Sequence, residues 1–143
     1  MTESGQRIVV DTGPLVALLS RADQYQEWAR KEFERLSPPV FTCEAVLSEA
    51  QLLLQGRGGN PATVLKMVRR GMLSVAFDLN DQVERLLELQ RAYSNVPMSL
   101  ADACLVRMSE LHHRSRVMTT DSDFRIFRRN RRQIIPLLAP PDI

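Results

Sequence analysis

The chain has 143 residues, of which 44% are hydrophobic and 25% charged, with a net charge of +2 at pH 7. That length suits one soluble domain spanning 1–143, and the composition excludes extended disorder. No apolar run reaches the ~18–20 residues of a membrane helix, and Ile8-Val9-Val10 falls far short of a signal-peptide core. Cys43 and Cys104 stand 61 positions apart without a CxxC spacing, which reads as two small buried hydrophobes in a reducing cytoplasm.

Charge is unevenly spread. Residues 112–132 hold seven arginines against two aspartates, whereas the first 111 residues hold 12 basic and 14 acidic groups. A planar guanidinium can bond two phosphate oxygens at once, so an Arg-rich segment suits nucleic acid. It equally suits a solvated face or an acidic protein partner.

The predicted elements alternate. Ile8-Val10 is a buried strand that turns into a helix through Asp-Thr-Gly-Pro, with Pro14 in the first helical turn. Tyr25 to Leu36 is a charged, periodic helix, Val40-Thr42 a strand, and Cys43 to Gln55 a helix stopped at Gly56. A helix from Pro61 to Arg70 and a strand from Leu73 to Phe77 follow. Asn80 is expected to cap a helix running to about Tyr93, ahead of a strongly apolar helix from Ser99 to His112. Val117-Thr119 and Ile134-Leu137 read as the last strands. Such alternation predicts an α/β fold, three layers with a short, mostly parallel sheet. Ligands bind such sheets at the carboxyl ends of the strands.

Four acids gather at that predicted edge. Asp11 ends the first strand, although an Asp there also caps a turn. Glu49 lies off the polar stripe formed by Glu44, Ser48, Gln51 and Gln55, beside Ala45, Leu52 and Leu53. A carboxylate among apolar neighbours needs a cation or a hydrogen-bond donor, so Glu49 is expected to meet a metal or an arginine. Asp102 opens the most apolar helix within Ser-x-x-Asp, which doubles as a capping box. Asp121 follows the Val117-Thr119 strand, with Asp123 competing for the same role. Carboxylates converging on one edge repel unless a divalent cation sits among them. Hard oxygen ligands suit Mg²⁺ or Mn²⁺, and such an ion activates water against a phosphodiester.

The ordered set of Val9-Val10-Asp11-Thr12-Gly13-Pro14, Ala45-Val46-Leu47-Ser48-Glu49-Ala50, Met98-Ser99-Leu100-Ala101-Asp102-Ala103 and Thr119-Thr120-Asp121-Ser122-Asp123-Phe124 resembles the PIN-domain family, and within it the VapC-like toxins. The resemblance covers nearly the whole chain. It implies a catalytic, metal-holding quartet at Asp11, Glu49, Asp102 and Asp121, with Asp123 as a further candidate ligand. It also implies Mg²⁺- or Mn²⁺-dependent RNA cleavage, homodimers and a neutralising antitoxin. Arg125, Arg128 and Arg129 are the expected phosphate contacts. Two other classes compete. An aspartic protease shares hydrophobic-Asp-Thr-Gly but requires a nearly all-β chain. A PIN-like module that binds RNA or protein without cutting would keep the arginines.

Overall fold

The computed structural model describes residues 5–143. Five parallel strands form the central sheet: β1 (Arg7–Val10), β2 (Val40–Thr42), β3 (Leu73–Val75), β4 (Ser115–Met118) and β7 (Leu137–Leu138), in the order β3-β2-β1-β4-β7. Two further short strands, β5 (Arg128–Arg129) and β6 (Gln133–Ile134), pair antiparallel as a separate hairpin.

The helices flanking the sheet are α1 (Thr12–Leu19), α2 (Gln26–Arg35), α3 (Glu44–Gly56), α4 (Ala62–Arg69), α5 (Val83–Ala92) and α6 (Leu100–Leu111). α1 packs against α2 and α3, α5 against α6, and α6 against the two central strands. Among the described residues, no helix is long and apolar enough to cross a membrane.

Burial explains why the central strands read as unbroken apolar runs. Val9, Val10, Val117 and Met118 are wholly inaccessible, as expected for parallel strands covered on both faces. Leu105 and Val106 of α6 and Leu15 of α1 are equally buried, so the β1–β4 pair forms the rigid centre. Phe124 and Phe127 meet edge to face at 5.3 Å, and Tyr93 meets Phe127 at 5.2 Å. These aromatic contacts fix the segment after β4 against the core.

Three local expectations are corrected. The single last strand expected over Ile134-Leu137 divides at Pro136, which has no N–H to continue a ladder. Its carbonyl instead accepts from Val117, where the chain enters the main sheet as β7. The strand expected to reach Phe77 ends at Val75. Asn80 does not cap α5: Asp78 accepts from the Asn80 N–H and starts a 3₁₀ turn over Leu79–Gln82, and α5 begins at Val83.

Candidate active site

The parallel sheet brings the carboxyl ends of β1 and β4 side by side. Val10 pairs with Met118, and the Asp11 N–H donates to the Met118 carbonyl at 2.9 Å. Asp11 is therefore the first residue past β1 and also the N-cap of α1, where its Oδ1 accepts from the Thr12 N–H at 2.8 Å. Its other oxygen, Oδ2, accepts from the Thr119 hydroxyl at 2.7 Å.

Asp11 is only 6% exposed. Burial pushes its carboxyl up to about 7 from the usual 3.8. The bonds from Thr119 and Thr12 resist that rise, while the charges of Asp102 and Asp121 add to it.

Asp102 sits in the first turn of α6. Its Oδ2 accepts from the Ser99 N–H at 3.1 Å while Ser99 Oγ accepts from the Asp102 N–H at 3.0 Å, a complete capping box. The cap does not exclude a role in the site. Partial burial raises its pKa, and the charges of Asp121 and Glu49 push in the same direction.

Asp121 begins the 3₁₀ turn Ser122–Arg125 and accepts from the Asp123 N–H at 2.9 Å. Of the two competing aspartates, Asp121 is the one whose charge acts on both Asp11 and Asp102. Asp123 serves the turn itself, its carbonyl accepting from the Ile126 and Phe127 N–H groups.

Glu49 reaches the group differently from the sequence expectation. It is exposed, because the flank of α3 that carries it is uncovered: Leu52 is 71% and Leu53 46% exposed. The apolar neighbours are present, but solvent shares the surface, so no buried arginine is required. The carboxylate accepts from the Thr12 hydroxyl at 2.9 Å. None of the four acids takes part in an ion pair among the described residues.

Two threonines complete the arrangement, and sequence reasoning passed over both. Thr119 is wholly buried, donates to Asp11 and accepts from the Asp121 N–H at 2.9 Å, so one hydroxyl ties the first acid to the fourth. Thr12 joins the first helix to Glu49. The available signal was a hydroxyl residue adjoining or close to an acid at each strand exit. Gly13 permits close approach: a β-carbon there would collide with the Thr120 hydroxyl.

The donor set consists of hard oxygens, which suits Mg²⁺ or Mn²⁺ better than softer ions. It is not a ready cage: no three His, Cys, Asp or Glu side chains are placed to hold a metal ion among the described residues. Each carboxylate is instead held by a local donor: Thr119 and Thr12, Ser99, Asp123 or Thr12. Asp121 is close enough to raise the proton affinity of both Asp11 and Asp102.

The arginines divide. Arg125 is exposed, with its Nε donating to the Ile143 carbonyl at 3.0 Å. Arg128 folds one guanidinium nitrogen onto the carbonyls of Arg125, Ile126 and Phe127. Arg129 corrects the expectation of a phosphate contact. It is 6% exposed, and its Nη1 donates to the Ser109 and His113 carbonyls at 3.1 and 2.9 Å, where it neutralises the carboxyl end of α6.

A parallel α/β sheet with acids at its carboxyl edge is the arrangement of a PIN domain, and the family model for the PIN domain matches residues 8–130. The chain belongs to that family. Among solved structures it is similar to VapC20 of Mycobacterium tuberculosis, described as a sarcin-ricin loop cleaving toxin. The two are 25% identical, with a TM-score of 0.70 over 81% of this chain and 91% of that one. A toxin–antitoxin complex from Klebsiella pneumoniae shares the fold, at 19% identity and a TM-score of 0.60 over 80% of this chain and 87% of that one. No curated protein sequence matches the chain.

Proposed function

We propose that this protein is a divalent-metal-dependent endoribonuclease that hydrolyses RNA phosphodiester bonds and serves as the toxin of a toxin–antitoxin pair. The observation that carries the reading is the buried Asp11 carboxyl, which shares its surroundings with Asp102 and Asp121 and has no cationic partner among the described residues. A fold gains nothing from gathering acids in this way, since each raises the cost of ionising the others. The same grouping suits the capture of a cation. Similarity to VapC20, described as a sarcin-ricin loop cleaving toxin, supports the substrate class.

Asp11, Glu49, Asp102 and Asp121 would hold Mg²⁺ or Mn²⁺. When bound, such an ion acidifies water and offsets the charge that builds on the phosphodiester. The chain's own part is positional. Thr119 keeps Asp11 and Asp121 in fixed relation, the capping box fixes the Asp102 rotamer, and Thr12 restrains Glu49. Burial, with the charges of Asp102 and Asp121, holds the Asp11 carboxyl up to about 7, a cost of ionisation that a bound cation would offset. Arg125 is the most available of the three predicted phosphate contacts. A cognate antitoxin that covers the acids, a homodimeric state and a cytoplasmic location complete the proposal.

The test is an RNase assay on structured and unstructured RNA with Mn²⁺, Mg²⁺ or EDTA, beside the Asp11→Asn variant. Cleavage that requires metal and vanishes in the variant is the expected result. Metal binding without cleavage of any RNA would favour a non-catalytic PIN-like binding module. Cleavage surviving EDTA and the variant would overturn the site.

A further inference from the structure

Beside the carboxylates lies a cleft of about 340 Å³, at the lower end of the range for small-ligand sites. Ala45 of α3, Phe77 and Leu79 of the segment after β3, and Leu100 of α6 form its walls. The nearly inaccessible Cys43 and Cys104 lie deepest. Besides the cysteines, the lining residues with polar side chains are Glu44, whose charge reaches Cys104, and Ser48.

Strand register places the cleft next to the site. Val9 pairs with Phe41, which carries Asp11 alongside Cys43 at the ends of β1 and β2. Thr42 pairs with Val75, which carries Ala76 and Phe77 past the same edge. On α6, Leu100 and Cys104 stand one turn apart on a single face, with Asp102 in the same first turn on the other side of the helix.

We propose that this cleft receives one unstacked RNA base next to the bond that is cut, and that it prefers guanine. This rests on the ribonuclease reading above. No cationic side chain lines the cleft among the described residues, which disfavours a phosphate, whereas Phe77, Leu79 and Leu100 offer apolar surface to a flat ring. Proteins that act on single-stranded RNA draw bases out of the stack into such clefts. Guanine follows from Glu44: a carboxylate accepts, and guanine alone presents two adjacent donors, N1–H and N2–H, on one edge. Leu79 and Leu100 are 38% and 44% exposed, so the walls are open to a ligand.

The test has two arms. The first maps cleavage of single-stranded RNA randomised around the cut by the wild type, Ala45→Leu and Glu44→Gln. The second titrates the four nucleosides into the Asp11→Asn protein, monitored by NMR of the Leu79 and Leu100 methyl groups. The wild type should favour guanine at one position flanking the cut by about tenfold or more, the scale on which a paired hydrogen bond to a base edge tells one base from another. Ala45→Leu should abolish the preference by filling the cleft, and Glu44→Gln should reduce guanine over adenine. Guanosine should shift both methyl groups more than cytidine or uridine. Cleavage without base preference, or a preference that survives Ala45→Leu, overturns the base cleft and leaves the nuclease reading intact. Guanosine shifts without cleavage of any RNA support the cleft and overturn the nuclease reading. Shifts that depend on protein concentration and not on nucleoside assign the cleft to a second copy of the chain and overturn the proposal.

Discussion

Replacing Asp11 by Asn should stabilise the metal-free protein, and the gain should grow with pH. The folded Asp11 carboxyl titrates near 7 against 3.8 for an ordinary aspartate, so the folded state holds its proton over a range in which the unfolded chain has released it. Stability from this group is therefore full below about pH 4 and is lost as pH rises through 7. Between pH 5 and pH 8 the loss comes to about 3 kcal/mol, at about 1.4 kcal/mol for each unit of pKa difference. Asn keeps an acceptor for the Thr12 N–H but turns a donor toward Thr119, which costs roughly 1 kcal/mol. The net expectation is near neutrality at pH 5 and a gain of about 2–3 kcal/mol at pH 8. Urea unfolding in EDTA at both pH values, for wild type and variant, measures the difference directly. Other titrating groups are common to both proteins and largely cancel. A wild-type minus variant difference that does not change between pH 5 and pH 8 would refute the strained-carboxylate argument.

Gly13→Ala should cost about 1–3 kcal/mol, because the new methyl meets the Thr120 hydroxyl. Adding Thr120→Ala should recover most of the loss in thermal melts, since the Thr120 β-carbon lies at 3.4 Å, an ordinary contact. Glu110 accepts from Arg85 at 2.9 and 2.6 Å, from Arg107 at 3.1 Å and from the Asn130 N–H at 2.7 Å. Burial raises its pKa, but Arg85 and the other donors outweigh burial and hold it below the usual range. Glu110→Gln should therefore cost about 3 kcal/mol in chemical unfolding and speed amide exchange at Asn130. Unchanged exchange there would separate the hairpin from this network.

The alternation of elements was legible because buried parallel strands and helices differ in length and in their stops. Val9-Val10 followed by Asp-Thr-Gly-Pro, and Gln55 followed by Gly56, mark their boundaries in the chain itself. Asp11, Asp102 and Asp121 stand at strand and helix ends, where the element boundaries in the sequence put them. Glu49 shows where this kind of reading stops. Helical phase located it among Leu52 and Leu53 but could not say that this flank lacks a covering element. The same holds for Arg129, one arginine in a run of exposed ones, whose burial depends on the carboxyl end of α6 lying beneath it. The hairpin of β5 and β6 escaped because two-residue strands carry no period. Its turn rests on Asn130 and Arg131 at φ 49° and 70°, a conformation only Asn signals in sequence.

The bond from Thr119 to Asp11 has a mechanical consequence. Both residues leave adjacent strands whose pairing, Val10 with Met118, lies at the wholly buried centre of the sheet. The separation of Asp11 from Thr119 is therefore set by the hydrogen-bond spacing of a β-ladder, about 4.8 Å between strands, and the turn that carries Asp121 hangs from Thr119. Widening it means breaking the sheet at its most protected point. An inhibitor of this protein has no hinge to pry open here and must instead cover the carboxylates or supply them with positive charge.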